Sequence, residues 1–272
     1  MKILFLGDVV GRNAREAAIA QLPELRRTYK LDVIIVNVEN AAHGFGVTAQ
    51  ICDDFYKAGA DCLTTGNHVW DQREILSYIE RDPKLLRPLN FPEGTPGKGA
   101  YVIQTAKGEK ILVANLMARL FMDTLDDPFA AANKLCNTHR LGKDVNAIFI
   151  DFHGEASSEK MALGHYLDGR ASFVVGTHTH VPSADARVLA KGTGYMTDAG
   201  MCGPYDSVIG MEASLAVNRF VRKVPGEKLY PADGPVTLCG VIAHIDNKTG
   251  LCTKAEPLRM GGSLSQALPE VA

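Results

Sequence analysis

Apolar segments of this chain repeatedly stop at a side chain that can bind a metal ion. The run over residues 3–6 is followed by Asp8, and later runs end in the same way at a carboxylate, a carboxamide or an imidazole. Ligands of open α/β sheets bind at the carboxyl ends of strands, so ends that are far apart in sequence can converge in space. The residues concerned are Asp8, Glu39, Asn40, Asn67, His68, His153, His178 and His180.

The types of these side chains favour a pair of metal ions. Two carboxylates, two amide oxygens and three imidazoles, with no thiolate, suit Fe, Mn or Zn better than Ca or Mg. Such a set is too large for one tetrahedral site, whereas two ions about 3.5–4 Å apart that share a carboxylate would use all of it. We therefore expect two divalent or trivalent ions, with Fe favoured and Mn or Zn as alternatives. The ligands are Asp8, Glu39, Asn40, Asn67, His153, His178 and His180.

The elements that must hold these ligands are predicted as alternating strands and helices, followed by hairpins. Continuous apolar runs predict buried strands over 3–6, 33–38, 62–65, 147–152 and 172–175. Helices are predicted over 14–29, with Pro23 as a kink or break, and over 48–58, 72–80, 129–139 and 158–167. Hairpins are predicted over 101–116 and 236–258. This mixture favours an α/β fold, a mixed two-sheet sandwich flanked by helices.

The composition is that of an ordinary globular protein. The 272 residues fit a single domain over 1–272, of which 263–272 looks loosely held. A formal net charge of −2 argues against broad, non-specific binding to nucleic acid, although it allows a nucleotide substrate. The Lys and Arg residues of the predicted helices are interpreted as solvated faces.

The cysteine pattern and the hydropathy bear on location. Six cysteines without a C-x-x-C pair indicate buried thiols in a reducing cytoplasm and make a zinc ribbon a poor fit. No apolar run reaches the roughly 18 residues that a membrane span needs, so we expect no membrane partner. The short apolar N-terminus ends in an acid and is interpreted as a first strand.

Taken together, the motifs resemble a known family. Gly7-Asp8, Gly66-Asn67-His68, Phe152-His153 and Gly176-Thr177-His178-Thr179-His180 look like the signature of calcineurin-like metallophosphoesterases. The match is closer to one bacterial branch, the YmdB-like cyclic-nucleotide phosphodiesterases. This closer match lies in the segments 37–46, NVENAAHGFG, 65–71, TGNHVWD, and 198–204, DAGMCGP. The resemblance runs from Gly7 to about Glu212, and it implies the metallophosphoesterase-like α/β/β/α arrangement.

The resemblance also implies how the ligands are divided. Val10 stands where the broad superfamily has a histidine, and Asn40 would take its place. One ion would then bind Asp8, Glu39, Asn40 and His180. The other would bind Glu39, Asn67, His153 and His178, so that Glu39 is the bridge. His68 would not be a ligand and would lie over the substrate as the catalytic proton donor.

These expectations lead to a metal-dependent phosphodiesterase of cyclic nucleotides, 2′,3′-cyclic and as a second class 3′,5′-cyclic. Two ions would activate a water as hydroxide for attack on phosphorus, and His68 would protonate the leaving alkoxide. Two alternatives stay open. One is a phosphomonoesterase, such as a nucleotidase or a protein phosphatase. The other is a regulatory protein that binds a nucleotide or RNA with little turnover.

Some expectations concern partners and the rim of the site. His43 is a candidate substrate contact, with a role in bracing the glycine-rich loop as the alternative. The segment 200–210 is predicted to be either a lid or a subunit contact. Related proteins suggest a homo-oligomer, and a link to RNA is a further expectation.

Overall fold

The apolar runs of the first third of the chain lie side by side in an eight-stranded sheet. The computed structural model describes residues 1–222 and 226–271. The strands of this first sheet are β1 (Lys2–Leu6), β2 (Asp8–Val9), β3 (Val33–Asn37), β4 (Cys62–Thr64), β5 (Leu85–Leu86), β12 (Met201–Pro204), β13 (Val236–Ile245) and β14 (Cys252–Gly261). Their order is β2-β12-β13-β1-β3-β4-β5, with β14 paired to β13. The neighbours β1, β3, β4 and β5 are parallel, so their carboxyl ends share one edge.

A second sheet of six strands comes from the middle of the chain. Its strands are β6 (Ala100–Gln104), β7 (Lys110–Met117), β8 (Ala147–His153), β9 (Phe173–Thr177), β10 (Arg187–Val188) and β11 (Gly194–Met196), in the order β10-β11-β9-β8-β7-β6. Strands β7, β8, β9 and β11 are parallel, and β6 and β7 form the first predicted hairpin.

Side-chain alternation along the strands builds four layers. In β1, Ile3 and Phe5 face the second sheet, whereas Leu4 and Leu6 face helices, as the period of two requires. Phe149 stacks between Phe5 and Phe173, with ring centroids 5.6 and 5.4 Å away, and joins the two sheets. The helices are α1 (Gly11–Tyr29), α2 (Ala49–Ala58), α3 (Ile75–Ile79), α4 (Pro128–Thr138), α5 (Ser157–Tyr166) and α6 (Ala213–Arg222).

The outer helices cover opposite faces of the sandwich. Side chains of α1 and α2, such as Leu22 and Phe55, pack on the first sheet. Side chains of α4 and α5, such as Ala132 and Leu163, pack on the second. The prediction of a mixed α/β two-sheet sandwich flanked by helices is therefore confirmed.

Two helix predictions need correction. The first helix begins at Gly11 and continues through Pro23 without a break. Pro23 lies on the exposed side of α1, where water can bond the carbonyl that loses its usual partner. The helix predicted over 72–80 shrinks to Ile75–Ile79, because the backbone before it closes tighter turns, in which the N–H groups of Asp71 and Ile75 donate to the carbonyls of His68 and Gln72.

The structure also bears on the expectations about the cysteines, a membrane span and the segment 263–272. All six cysteines are free and buried. No helix of the described residues is long and apolar enough to cross a membrane. The segment 263–271 is mostly exposed, and Ala267 and Arg259 exchange two backbone hydrogen bonds. Residue 272 lies outside the described residues, and the single domain and the loose segment stay predictions.

Candidate metal centre

The predicted ligands meet at the edge where the parallel strands of both sheets end. Glu39 and Asn40 follow β3, and Asn67 follows β4, all from the first sheet. His153 is the last residue of β8, and His178 directly follows β9, both from the second sheet. The centre is therefore assembled between the two sheets, at the position that open α/β sheets use for ligands.

His153 lies in the middle of this group. Its Nε2 atom is 2.9 Å from Asn67 Oδ1, 3.1 Å from His178 Nδ1 and 3.2 Å from Glu39 Oε1. One ring nitrogen carries at most one proton and cannot donate well to three acceptors at once. A cation would satisfy all of them, and donor atoms of Glu39, His153 and His178 lie within 4.8 Å of one another.

Two buried oxygens beside this group have no hydrogen-bond partner among the residues that the structure describes. They are Asp8 Oδ1 and Asn40 Oδ1. The other atoms of these groups are in use: Asp8 Oδ2 accepts from the His178 backbone N–H at 3.2 Å, and Asn40 Nδ2 donates to the Gly44 carbonyl at 3.0 Å. Orphaned buried oxygens are costly unless an unseen partner satisfies them, so this donor set fits metal ions.

His180 lines the same cleft as Glu39 and Asn40. Its Nδ1 lies 2.8 Å from the Ile209 carbonyl, which can only accept, so Nδ1 carries the proton and Nε2 keeps a lone pair. The ring is buried. Burial raises the pKa of Asp8, and His180 opposes part of this rise. The structure thus brings together all seven side chains that were predicted as ligands.

The electrostatics of the group favour positive charge. Burial would raise the pKa of Glu39, but the charge and the hydrogen bond of His153 outweigh burial and lower this pKa. Burial opposes protonation of His153, but Glu39 and Asp8 overcome it and raise the pKa of His153 to about 9. Burial and the charge of His153 lower the pKa of His178 to about 3, so His178 stays neutral. Metal binding needs ionised carboxylates and neutral imidazoles, so a metal ion here would replace the proton that Glu39 and Asp8 hold on His153.

Gly66 is required for the close approach of the two sheets. A Cβ atom at this position would lie 2.3 Å from His153 Cδ2 and 2.4 Å from Glu39 Oε2. Real Cβ atoms do not come so close, so any larger residue would push two ligands apart. This contact explains the glycine of the Gly66-Asn67-His68 motif.

His68 stands apart from the ligands and faces the cleft. Its backbone N–H donates to Glu39 Oε2 at 3.2 Å, while its ring Nδ1 lies 2.8 Å from Asp71 Oδ2. Since an ionised carboxylate only accepts, Nδ1 holds a proton and Nε2 is left for the cleft. Phe45 packs against the ring edge-on, with the centroids 5.2 Å apart. Sequence reasoning missed Asp71 and Phe45, although both lie within the quoted motifs.

The segment 178–180, which we call the histidine loop, is held by the buried ion pair of Lys160 and Asp198. His178 and His180 have positive φ angles of 98° and 65°, a conformation that costs about 1–3 kcal/mol per residue unless the surroundings enforce it. Thr179, between them, donates its N–H and its hydroxyl to Asp198 Oδ2 at 3.1 and 2.7 Å. Lys160 Nζ donates to the same oxygen at 2.8 Å. Lys160 is 1% exposed, so its interpretation as part of a solvated face is wrong.

The cleft above the ligands has a volume of about 320 Å³. One side is polar, with Glu39, His68, His178 and Glu155, whose Oε2 lies 3.3 Å from His178 Nε2. The apolar part of the lining is formed by Phe45, Ile209, Met211 and Leu229.

The structure shows where His43 and the segment 200–210 lie relative to the cleft. His43 is exposed, has a φ of 55°, and belongs to the loop whose Phe45 lines the cleft. In the segment 200–210, Met201–Pro204 is strand β12, fixed between β2 and β13, and Ile209 reaches the cleft. The first part is thus built into the sheet and the second contributes to the site wall.

Comparison with known proteins agrees with this geometry. The family model of the YmdB-like protein matches residues 4–258. The chain belongs to the YmdB-like family. A relative from Bacillus subtilis (strain 168), named 2′,3′-cyclic-nucleotide 2′-phosphodiesterase, is 49% identical over 256 residues, which cover 94% of this chain and 96% of the relative. The family resemblance that the motifs indicated is therefore confirmed.

Solved structures of other members share the fold. A protein of Thermus thermophilus has a TM-score of 0.89 at 39% identity, covering 97% of this chain and 100% of that one. A protein of Mycoplasma pneumoniae, described as a novel phosphatase, also has a TM-score of 0.89, at 34% identity, covering 96% of this chain and 93% of that one.

Proposed function

We propose that this protein is a metal-dependent phosphodiesterase that hydrolyses 2′,3′-cyclic nucleotides, with 3′,5′-cyclic nucleotides as a second class. The observation that carries the proposal is the buried ligand group with orphaned oxygens on Asp8 and Asn40, directly beside the cleft-facing His68. The name of the Bacillus subtilis relative supports the same reaction and the same substrate class.

In this proposal Glu39 lies between two metal ions. Glu39 would hold one ion with Asp8, Asn40 and His180, and the other with Asn67, His153 and His178. The orphaned oxygens support the first set, and the close grouping of Glu39, His153 and His178 supports the second. When bound, ions of this kind polarise phosphoryl oxygens and lower the pKa of a water toward neutrality. The imidazole, carboxylate and amide ligands accept Fe, Mn or Zn, and Fe is the metal proposed first.

His68 is the residue that gives a proton to the leaving alkoxide. Its Nδ1 is held at 2.8 Å by Asp71, which leaves Nε2 free to face a substrate in the cleft. The hydrogen bond to Asp71 also fixes the orientation of the ring, which a general acid needs to reach the leaving oxygen. The ring is supported from the side by Phe45.

The apolar wall suits the base of a nucleotide. Phe45, Ile209, Met211 and Leu229 line the same cleft as Glu39 and His178, so a base can pack on the apolar residues while the phosphate meets the candidate ligands. Stacking of a base on an aromatic side chain is worth about 1–3 kcal/mol. A minimal diester without a base would lose this contact.

Replacement of His68 by alanine tests the proposal. Turnover of 2′,3′-cyclic AMP should decrease by about 10²–10⁴-fold, because one general acid supplies a factor of this size, while metal content per chain stays unchanged. Mass spectrometry of bound metals and product chromatography give the two readouts. The exposed His165→Ala is the matched control and should behave like the wild type. Loss of metal from His68→Ala would show that this assignment is wrong.

The second candidate function is phosphomonoester hydrolysis, which the description of the Mycoplasma pneumoniae relative as a phosphatase favours. Bis- and mono-p-nitrophenyl phosphate separate the two reactions, and a preference for the monoester would contradict the diesterase. A cytoplasmic location, a link to RNA and self-assembly stay predictions from the sequence.

A further inference from the structure

A cluster of buried polar side chains joins the two sheets just below the ligands. Asn37 of β3 and Thr64 of β4 come from the first sheet, and Asp151 of β8 and Thr177 of β9 come from the second. All four are fully buried, whereas the layer beneath them is apolar. None of the four is among the predicted ligands or the groups that face the cleft.

Hydrogen-bond directions in this cluster follow from the chemistry of its members. Asn37 Oδ1 accepts from the Glu39 backbone N–H at 3.1 Å, so the Asn37 amide nitrogen is the end that donates to Asp151 Oδ2, at 3.0 Å. The Thr64 hydroxyl donates to the same oxygen at 2.5 Å. The Thr177 hydroxyl donates to the other oxygen, Asp151 Oδ1, at 2.6 Å.

These directions determine which nitrogen of His153 carries its proton. Thr177 has one hydroxyl proton, which it donates in the hydrogen bond to Asp151. The Thr177 oxygen must therefore accept a hydrogen bond from its other neighbour. That neighbour is His153 Nδ1, at 2.9 Å. Nδ1 is therefore the donor, and Nε2 faces Glu39, Asn67 and His178 with its lone pair available to a metal ion.

We propose that Asp151 and Thr177 are positioning residues that hold His153 in the Nδ1–H form, so that its Nε2 can bind a metal ion. The inference rests on the metal centre of the proposed function. Asp151 also acts on the other sheet, because Asn37 links it to the Glu39 backbone. One buried carboxylate thus orients a ligand from each sheet. Partners of this kind commonly change metal affinity when they are altered.

The replacement Asp151→Asn should reverse the chain of hydrogen bonds. Asn37 Nδ2 can only donate a hydrogen bond to the position that Asp151 Oδ2 occupies. The carbonyl oxygen of the new asparagine should therefore take this position. The new NH₂ group then faces Thr177 and donates to it, and Thr177 turns its own proton toward His153 Nδ1. The neutral imidazole would then carry its proton on Nε2, where the metal ion must bind.

The test measures Zn²⁺ affinity of the full chain by competition with a chelator. Asp151→Asn should bind one ion about 10–100-fold more weakly than the wild type. Nitrogen-15 NMR of the zinc-loaded wild type should show a protonated Nδ1 and a metal-bound Nε2 on His153. Thr177→Val should weaken binding similarly, and Thr177→Ser, which keeps the hydroxyl, should restore it.

Thr64→Val is the matched control for a purely structural role. It removes a hydrogen bond from the same carboxylate but leaves the path through Thr177 to His153 intact. Its thermal stability should decrease while its zinc affinity stays near that of the wild type. Equal loss of affinity in Thr64→Val and Thr177→Val would overturn the positioning role.

The outcomes also separate this inference from the proposed function. If the wild type binds two ions and both Asp151→Asn and Thr177→Val bind them equally well, the positioning role is wrong and the metal centre stands. If the wild type binds no metal ion at all, the metal centre and the positioning role are both wrong. Thr177→Val provides the decisive measurement if Asp151→Asn does not fold.

Discussion

Replacement of Lys160 by methionine probes the ion pair that holds the histidine loop. Lys160 Nζ lies 2.8 Å from Asp198 Oδ2, and the side chains are 1% and 2% exposed. Methionine has a similar length and fills the same space, but it leaves the carboxylate buried without its counter-charge. Breaking a buried pair in this way typically costs about 3–5 kcal/mol. Asp198 keeps its hydrogen bonds from Thr179 and Gly200, which places the cost near about 3 kcal/mol.

This cost should be visible in thermal unfolding. A decrease of about 3 kcal/mol lowers the Tm of a chain of this size by about 6–12 °C. Because Asp198 holds Thr179 between two proposed ligands, the affinity for metal ions should decrease as well. Differential scanning calorimetry of the metal-free protein, followed by a zinc titration, measures both effects.

The comparison needs two further variants. Lys57→Met removes an exposed lysine that lies 3.9 Å from Asp54, and its Tm should change by no more than about 2 °C. The double variant Lys160→Met with Asp198→Asn removes both charges and should recover part of the loss. If Lys160→Met melts like Lys57→Met, the ion pair does not support the loop and the reasoning is refuted.

Two other replacements test the site itself. Gly66→Ala should weaken metal binding, because its Cβ would lie 2.3 Å from His153 Cδ2 and 2.4 Å from Glu39 Oε2. Gly226→Ala is the control, since a Cβ there meets no described atom within 4 Å. Equal zinc affinity in both variants would contradict the crowding at Gly66. Phe45→Ala should raise KM for 2′,3′-cyclic AMP by about 5–150-fold, the equivalent of about 1–3 kcal/mol of stacking, and should change KM much less for ribose 2′,3′-cyclic phosphate, which carries no base. Equal effects on both substrates would argue that Phe45 supports His68 and does not contact a base.

The layers and the convergence of the candidate ligands could be predicted from the sequence because both depend on local pattern. Continuous apolar runs indicated strands buried on both faces, and the structure confirms β1, β3, β4, β8 and β9 at those runs. A polar side chain directly after such a run lies at a strand end, so Glu39 and His178 were predictable as members of one site. Their division between two sheets could not be predicted, because it depends on the pairing of distant strands.

The supporting charges could not be predicted because their partners are remote in sequence. Lys160 and Asp198 are 38 positions apart, and Asp151 and Thr64 are 87 apart. A lysine in a helix is interpreted as solvated until the fold shows what lies beneath it. Burial without a partner would be prohibitive for such groups, so their pairing is a property of the tertiary structure.

A period-two pattern nevertheless connects each support with the ligand it serves. In β3, residues 33 and 35 are apolar and face the other sheet, followed at the same spacing by Asn37 and then Glu39. In β8, Phe149 is followed at the same spacing by Asp151 and then His153. Side chains two positions apart point to the same face of a strand. A polar residue that ends an apolar strand face two positions before a candidate metal ligand is therefore predicted to support that ligand. This rule selects Asn37 for Glu39 and Asp151 for His153.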